Sequence, residues 1–282
     1  MTSRAAAIAA AALAAVAALA GCSSTVAGTA RPSAQLKSAA LEDVKSAAAQ
    51  RQWVDATGQG VELPRDSLKN AQYSPAAIPA PGVRITYQTF DGGTGGCTLG
   101  PAVRAGSREG FLTAGHCATD AVGPQRITGP DGLPVRDLGS AEDVAFSHGI
   151  PNGTGFAEDS AVIWTDAGSP AAMIAGTWPV AGTLTVEEVR ALPERTPICF
   201  AGAMTGGVAC GPLLNARDPG GVHFGHAAEA GDSGAAAFLV DSEGSAWLVG
   251  IVSSTDDFRP ESTAAYLDPA LERLSVEAIT AP

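Results

Sequence analysis

An all-β fold, sandwich or barrel, is what this sequence predicts, on three observations. Short apolar runs recur from residue 83 onward, Gly, Pro and Asp punctuate them, and helical periodicity is almost absent. At 282 residues the chain exceeds an average domain, yet all-β units of 200–250 residues are ordinary.

The elements follow in order. Residues 1–21 begin with the basic stretch Met1-Thr2-Ser3-Arg4 and continue as an Ala-rich apolar run. That run is short, closes on small residues and reads as an export signal. It ends in Leu19-Ala20-Gly21-Cys22, which resembles the lipobox of bacterial lipoproteins. The resemblance implies cleavage before Cys22 and a lipid on its thiol, hence a membrane partner through that lipid and a place on the outer face of the cytoplasmic membrane. Residues 23–35 are small and polar and read as a tether. Leu36, Leu41 and Val44 give residues 36–51 a weak helical stripe. Pro64, Pro75, Pro79 and Pro81 make residues 52–82 an irregular connector, so that 22–82 form an N-terminal region. The clearest strands are 83–90, 108–114, 160–164, 196–201, 235–240 and 246–254. A C-terminal helix is expected at about 268–278, with Asp268 as cap and Pro269 in the first turn. No internal repeat is visible after residue 82.

Composition excludes several functions. Lys+Arg 17 against Asp+Glu 29 gives a formal charge of −12, which a phosphate backbone would repel, so no nucleic-acid partner is expected. No stretch after residue 21 is apolar enough to span a bilayer. Without Cys22, four cysteines remain, an even number suited to an oxidising compartment. No histidine pair has the spacing of a metal motif, and no metal or cofactor is expected.

Three islands carry chemistry: Thr113-Ala114-Gly115-His116-Cys117, Glu158-Asp159-Ser160-Ala161-Val162-Ile163-Trp164, and Gly231-Asp232-Ser233-Gly234. A serine hydroxyl is a weak nucleophile that needs a base, usually His. The imidazole must present one tautomer, which a buried carboxylate enforces. Glycines beside a nucleophile let backbone N–H groups converge on a developing oxyanion. Asp143 also begins an apolar pair, but it runs at once into a loop; Asp159 leads a continuous strand and is the better carboxylate.

These islands resemble the secreted bacterial branch of the chymotrypsin-like serine proteases, of the streptogrisin and α-lytic type. Cys97-Thr-Leu-Gly with Phe111-Leu-Thr-Ala-Gly-His-Cys117 is like that branch's histidine region, and Ala228-Glu-Ala-Gly-Asp-Ser-Gly-Ala235 is like its nucleophile loop. The order His, Asp, Ser is the chymotrypsin order. Covering roughly residues 83–276, the resemblance implies two six-stranded antiparallel Greek-key β-barrels, about 83–165 and 180–267, within a protease domain 83–282. It further implies a His116/Asp159/Ser233 triad, oxyanion donors at Gly231 and Ser233, and disulfides Cys97–Cys117 and Cys199–Cys210. The substrate is then a protein or peptide bound along Ser253, Ser254 and Thr255, with Ser253 hydrogen-bonded to Asp159. Ala227 and Ala228 would floor the primary pocket and Val252 would wall it, suiting small or medium apolar side chains, the alternative being an acidic side chain received by His223 or His226. Three departures stand against the pattern, the first being that His226-Ala227-Ala228 lacks the cysteine this branch often places before its nucleophile loop. Ala235 replaces a glycine, and Phe200 sits where the branch places an Arg opposite the buried Asp232. Arg195 or Arg217 is then the expected counter-charge. The alternative reading is an inactive protease-fold lipoprotein that serves as a binding protein. His148, His223 and His226 read as surface or pocket-rim residues.

Overall fold

The computed structural model describes residues 47–60, 78–129, 133–165, 172–256 and 258–282. The export signal, Cys22, the tether and most of the helical stripe lie outside them. No helix among the described residues is long and apolar enough to cross a membrane.

The first described strand, β1 (Trp53–Val54), is an edge strand inside the stretch expected to be irregular. Eight strands then build the first barrel: β2 (Arg84–Thr89), β3 (Thr94–Thr98), β4 (Ala102–Ala105), β5 (Arg108–Thr113), β6 (Ala121–Thr128), β7 (Pro134–Gly139), β8 (Ala141–Phe146) and β9 (Asp159–Trp164). They form two sheets, β3-β2-β6-β7 and β4-β5-β9-β8. The sheets are joined where the chain bends: Leu99-Gly100-Pro101 carries β3 into β4, and Ser140 carries β7 into β8. Counting each bent pair as one strand leaves six, in the closed ring β2, β3/β4, β5, β9, β8/β7, β6.

After β10 (Met173–Ile174) and β11 (Trp178–Thr183) comes a short helix, Val186–Arg190. Thr185 and Glu188 form its capping box, the reciprocal pair that supplies two otherwise unpaired helix-start amides. The second barrel is β12 (Pro197–Ala201), β13 (Val208–Asn215), β14 (Val222–Phe224), β15 (Ala236–Asp241), β16 (Ala246–Thr255) and β17 (Ser262–Tyr266). Every neighbour pair is antiparallel, and β15 pairs with both β12 and β16, so this ring closes as β12-β13-β14-β17-β16-β15. Numbered within each barrel, both rings run 1-2-3-6-5-4. The fold therefore repeats itself although the sequence shows no repeat.

Strand β15 explains why an unbroken apolar run can be a strand. Ala237 and Leu239 point into the second barrel with Phe200 and Phe224. Ala236, Phe238 and Val240 point the other way, into a core shared with Ile85, Leu99 and Phe111 of the first barrel. Both faces are buried, so alternation disappears. Burying Phe238, fully excluded from water, contributes roughly 2–3 kcal/mol.

The C-terminal helix is Leu267–Leu274, not 268–278. Its cap is Tyr266 rather than Asp268, which lies in the first turn. Ser275 turns into the left-handed region and ends it, and β18 (Glu277–Ala278) pairs with β4 of the first barrel. Ahead of both barrels, β1 extends the second by pairing with β15. Arg51 stacks over the Trp247 ring at 3.8 Å and reaches Asp241 at 3.7 Å. The amide of Ala56 lies 3.3 Å from Cys210 Sγ. Residues 51–56 are thus a strap on the second barrel and not a free connector.

Candidate active site

The site lies where the end of β5, the start of β9, the loop before β15 and the end of β16 meet. Strand β5 delivers Thr113, and a turn through Ala114 and Gly115 starts the short helix His116–Thr119. Gly115 is obligatory there, because a Cβ would sit 2.0 Å from the carbonyl oxygen of Ala145 in β8. That close approach brings His116 beside the start of β9.

Asp159 is 3% exposed and accepts three hydrogen bonds. The His116 backbone N–H donates to its Oδ1 at 2.8 Å, His116 Nδ1 meets Oδ2 at 2.8 Å, and the Ser253 hydroxyl donates to Oδ2 at 2.5 Å. A carboxylate only accepts, so the proton of the neutral ring sits on Nδ1 and the Nε2 lone pair is free. Asp143, the other candidate carboxylate, is exposed, with φ +50°. Its carbonyl accepts instead from Arg273 of the C-terminal helix at 2.9 Å, and the same guanidinium donates to Ser160 Oγ at 2.8 Å. The residue after Asp159 is thereby tied to the end of the chain.

Ser233 stands on the loop that enters β15. Its carbonyl accepts from Thr98 N–H at 2.8 Å, and Gly234 N–H donates to Val252 at 2.8 Å. Gly234 has φ +94°, and a Cβ on it would meet Thr98 O and Thr113 Oγ1 at 2.4 Å, so only glycine fits. Asp232 N–H and Ala235 N–H close turns within the loop. The amides of Gly231 and Ser233 and the Ser233 hydroxyl have no partner among the described residues, and no hydrogen bond joins Ser233 Oγ to His116 Nε2.

Asp232 is completely buried, and neither Arg195 nor Arg217 pairs with it. The expected counter-charge is replaced by four donors: the amides of Met204 (2.7 Å), Thr205 (3.0 Å) and Glu229 (2.8 Å), and the Thr205 hydroxyl. Hydrogen bonds to the ionised form can hold a buried carboxylate without a cation. Phe200 is then free to be core, packed 5.8 Å from Phe224. Replacing Thr205 with Val should destabilise the fold by about 1–3 kcal/mol, the cost of leaving a buried charge short of a partner. Chemical denaturation would measure it, and Thr205→Ser should recover most of the loss.

Sequence reasoning missed two residues here. Thr205 is one; Thr98, fully buried in β3, is the other. Besides its bond to Ser233, its hydroxyl donates to Gly231 O at 2.8 Å and accepts from Ala203 N–H at 3.0 Å. One first-barrel side chain thus holds the second barrel's loop. Its only sequence signal is its place next to Cys97.

The disulfides are Cys97–Cys117 and Cys199–Cys210. Cys97, Cys117 and His116 bring ligand atoms within 4.8 Å, but both sulfurs belong to the disulfide and are not metal ligands.

A cleft of about 870 Å³ runs past His116. Tyr87, Thr119, Asp120, Phe146, His148, Gly149, Gly220, Ser253, Ser254 and Thr263 also line it. Burial, then the charge of Asp120, pushes the Tyr87 phenol above its ordinary pKa. The expected pocket residues divide. Ser253 and Ser254 line this cleft, whereas Ala227, Ala228, Val252 and Thr255 do not. Val252 is buried, and a polar bridge links Thr255 and Ala228: Thr255 Oγ1 donates to Ala228 O at 3.0 Å, and Ala228 N–H donates to Ser262 Oγ at 2.8 Å. His226 packs edge-on against Phe200, while His223 bonds Asp218 and Thr263.

No protein-family model and no curated protein matches this sequence. Solved structures do. Thermobifida fusca protease A is 22% identical, with a TM-score of 0.51 over 73% of this chain and 100% of that one. The Cellulomonas bogoriensis chymotrypsin is 22% identical, with a TM-score of 0.47 over 72% of this chain and 98% of that one. Nocardiopsis protease is 20% identical, with a TM-score of 0.46 over 71% and 98%. Two closed rings of the same strand order, with the similarity to Thermobifida fusca protease A, give the chain the chymotrypsin-like double-barrel fold of the bacterial serine proteases.

Proposed function

We propose that this chain is a serine endopeptidase acting outside the cytoplasm. The observation that carries the reading is the Asp159-bound His116, which lines a cleft with its Nε2 free, together with the Ser233 loop, whose Gly231 and Ser233 amides have no partner among the described residues. In the proposed reaction Nε2 takes the Ser233 proton as Oγ attacks the scissile carbonyl. The Gly231 and Ser233 amides receive the oxyanion. His116 then protonates the leaving amine, and water releases the acyl group by the same steps in reverse. Asp159 stays ionised and holds the ring. The Ser233–His116 hydrogen bond closes when substrate enters, since such bonds are commonly open in unliganded sites. Two disulfides suit an oxidising compartment, and Cys22 would supply a lipid anchor to the membrane. The open Ser233–His116 pair is also what favours the second reading, an inactive binding protein.

Substrate would add as a strand along Ser253, Ser254 and Thr255, as extended peptides do at open sheet edges. The Thr255–Ala228–Ser262 bridge narrows the primary pocket, so cleavage is expected after small residues such as Ala. Library profiling of the exported protein, with Ser233→Ala as the blank, tests this directly. Thr255→Gly should widen the preference to Leu and Met by about tenfold, a hydrophobic pocket distinguishing a few methylenes by about 1–3 kcal/mol. Dominant cleavage after Arg or Lys would overturn the pocket, and no cleavage at all would favour the binding protein.

A further inference from the structure

A second acid–imidazole–hydroxyl series, which the proposed reaction does not use, ends in the cleft. Asp218 Oδ2 lies 3.1 Å from His223 Nε2, and His223 Nδ1 lies 3.1 Å from Thr263 Oγ1. Thr263 itself lines the cleft, next to Ser254, its cross-strand partner. The Asp218 loop is fixed by the Gly220 amide on Asp218 Oδ1 at 2.7 Å, and Gly220 also borders the cleft.

The hydrogen-bonding roles follow from chemistry alone. A carboxylate can only accept, so neutral His223 carries its proton on Nε2 and offers a lone pair at Nδ1. Thr263 must then donate its hydroxyl hydrogen to His223, leaving only oxygen lone pairs toward the cleft. Protonated His223 donates from both nitrogens. Thr263 then accepts from Nδ1 and its hydrogen turns outward. The same hydroxyl is an acceptor toward the cleft when His223 is neutral and a donor when it is charged. The charge of the series also changes, from −1 with Asp218 ionised to zero.

Few other charges touch this relay. Across β14 from His223, β13 places Leu213 and Asn215 and β17 places Thr263, none ionisable. Arg217, beside Asp218, faces a separate groove with Glu187 and Arg190. In the β16–β17 loop Arg259 and Glu261 pair with each other at 4.0 Å. His148, in the same cleft, packs its ring 4.0 Å from Phe146.

We infer that Thr263, set by His223 and Asp218, is a specificity-determining residue that selects a cationic side chain of the bound peptide, Lys above all, while His223 is neutral, and releases that preference when His223 is protonated. The inference rests on the peptidase reading, because it assigns the residue that projects over Ser254. Protonation of His223 therefore lowers the preference.

The test compares two peptides that differ only by Lys or norleucine at one position upstream of the residue cleaved after, each such position being varied in turn. Their ratio of kcat/KM is read from pH 8 to pH 5. The ionisation of His116 affects both peptides alike and cancels, and Lys keeps its charge throughout. At one position the ratio should be about five- to tenfold at pH 8, a hydrogen bond to a charged group partly open to solvent, and should approach unity at pH 5. Thr263→Val should abolish both the preference and its pH dependence. Thr263→Ser should restore them. A pH dependence left unaltered by Thr263→Val, or a ratio near unity at pH 8 with turnover intact, would overturn the inference. Absence of turnover on every peptide would instead count against the peptidase reading.

Discussion

Replacing Ser233 with Ala is expected to lower kcat by about six orders of magnitude, the size of loss measured when the nucleophile of such a triad is removed. The variant should fold normally. Ser233 Oγ has no partner among the described residues, and the loop is held by contacts that Ala keeps: Thr98 N–H on the residue 233 carbonyl and Gly234 N–H on Val252. Unchanged thermal unfolding with lost turnover, followed on a peptide cleaved after Ala, is the expected pair of results. Residual turnover within tenfold of the native protein would move the nucleophile elsewhere.

The second large effect belongs to Asp159. Asp159→Asn keeps the shape but puts an amide where Oδ1 and Oδ2 take hydrogen bonds from the His116 backbone, the His116 ring and Ser253. One side of that amide is now a donor, so the ring is driven toward the tautomer with its proton on Nε2, which cannot accept from Ser233. Turnover should fall by about four orders of magnitude. Asp143→Asn should change it little, because Asp143 is exposed and only its carbonyl is engaged. Steady-state kinetics on the two variants separate them, and the reverse pattern would exchange their roles.

Much of this site was legible because its chemistry is local. Gly115-His116-Cys117 and Gly231-Asp232-Ser233-Gly234 each put a candidate catalytic side chain beside the glycine that its backbone path requires. Asp159 could be preferred over Asp143 because a buried strand needs an unbroken apolar run after the acid. What could not be read depends on approach across the barrels. Thr98 meets Gly231 133 positions away, and Thr205 meets Asp232 from 27 positions away. A threonine at the end of Gly-rich β3 and another in the turn between β12 and β13 announce neither. The counter-charge assigned to Arg195 or Arg217 failed for the same reason: the sequence shows charges but not free amides.

The fold divides in the same way. Strands β5, β9, β12, β15 and β16 were visible as apolar runs, being buried over most of their length. β3, with three exposed or half-exposed residues of five, and β7, with only Leu138 buried, carry too little apolar signal. The Val186–Arg190 helix did leave a signal, the Thr185–Glu188 capping box, that a periodicity scan over so short a segment passes by. The strap at Trp53–Val54 was hidden by the prolines that follow it.

The central claim is that His116 activates Ser233, and the most direct measurement is active-site labelling with a fluorophosphonate followed by peptide mass mapping. The account predicts one adduct per chain, on Ser233, formed by the native protein and lost after unfolding or in His116→Ala. No adduct on the folded protein, or an adduct on another serine that survives His116→Ala, would contradict it.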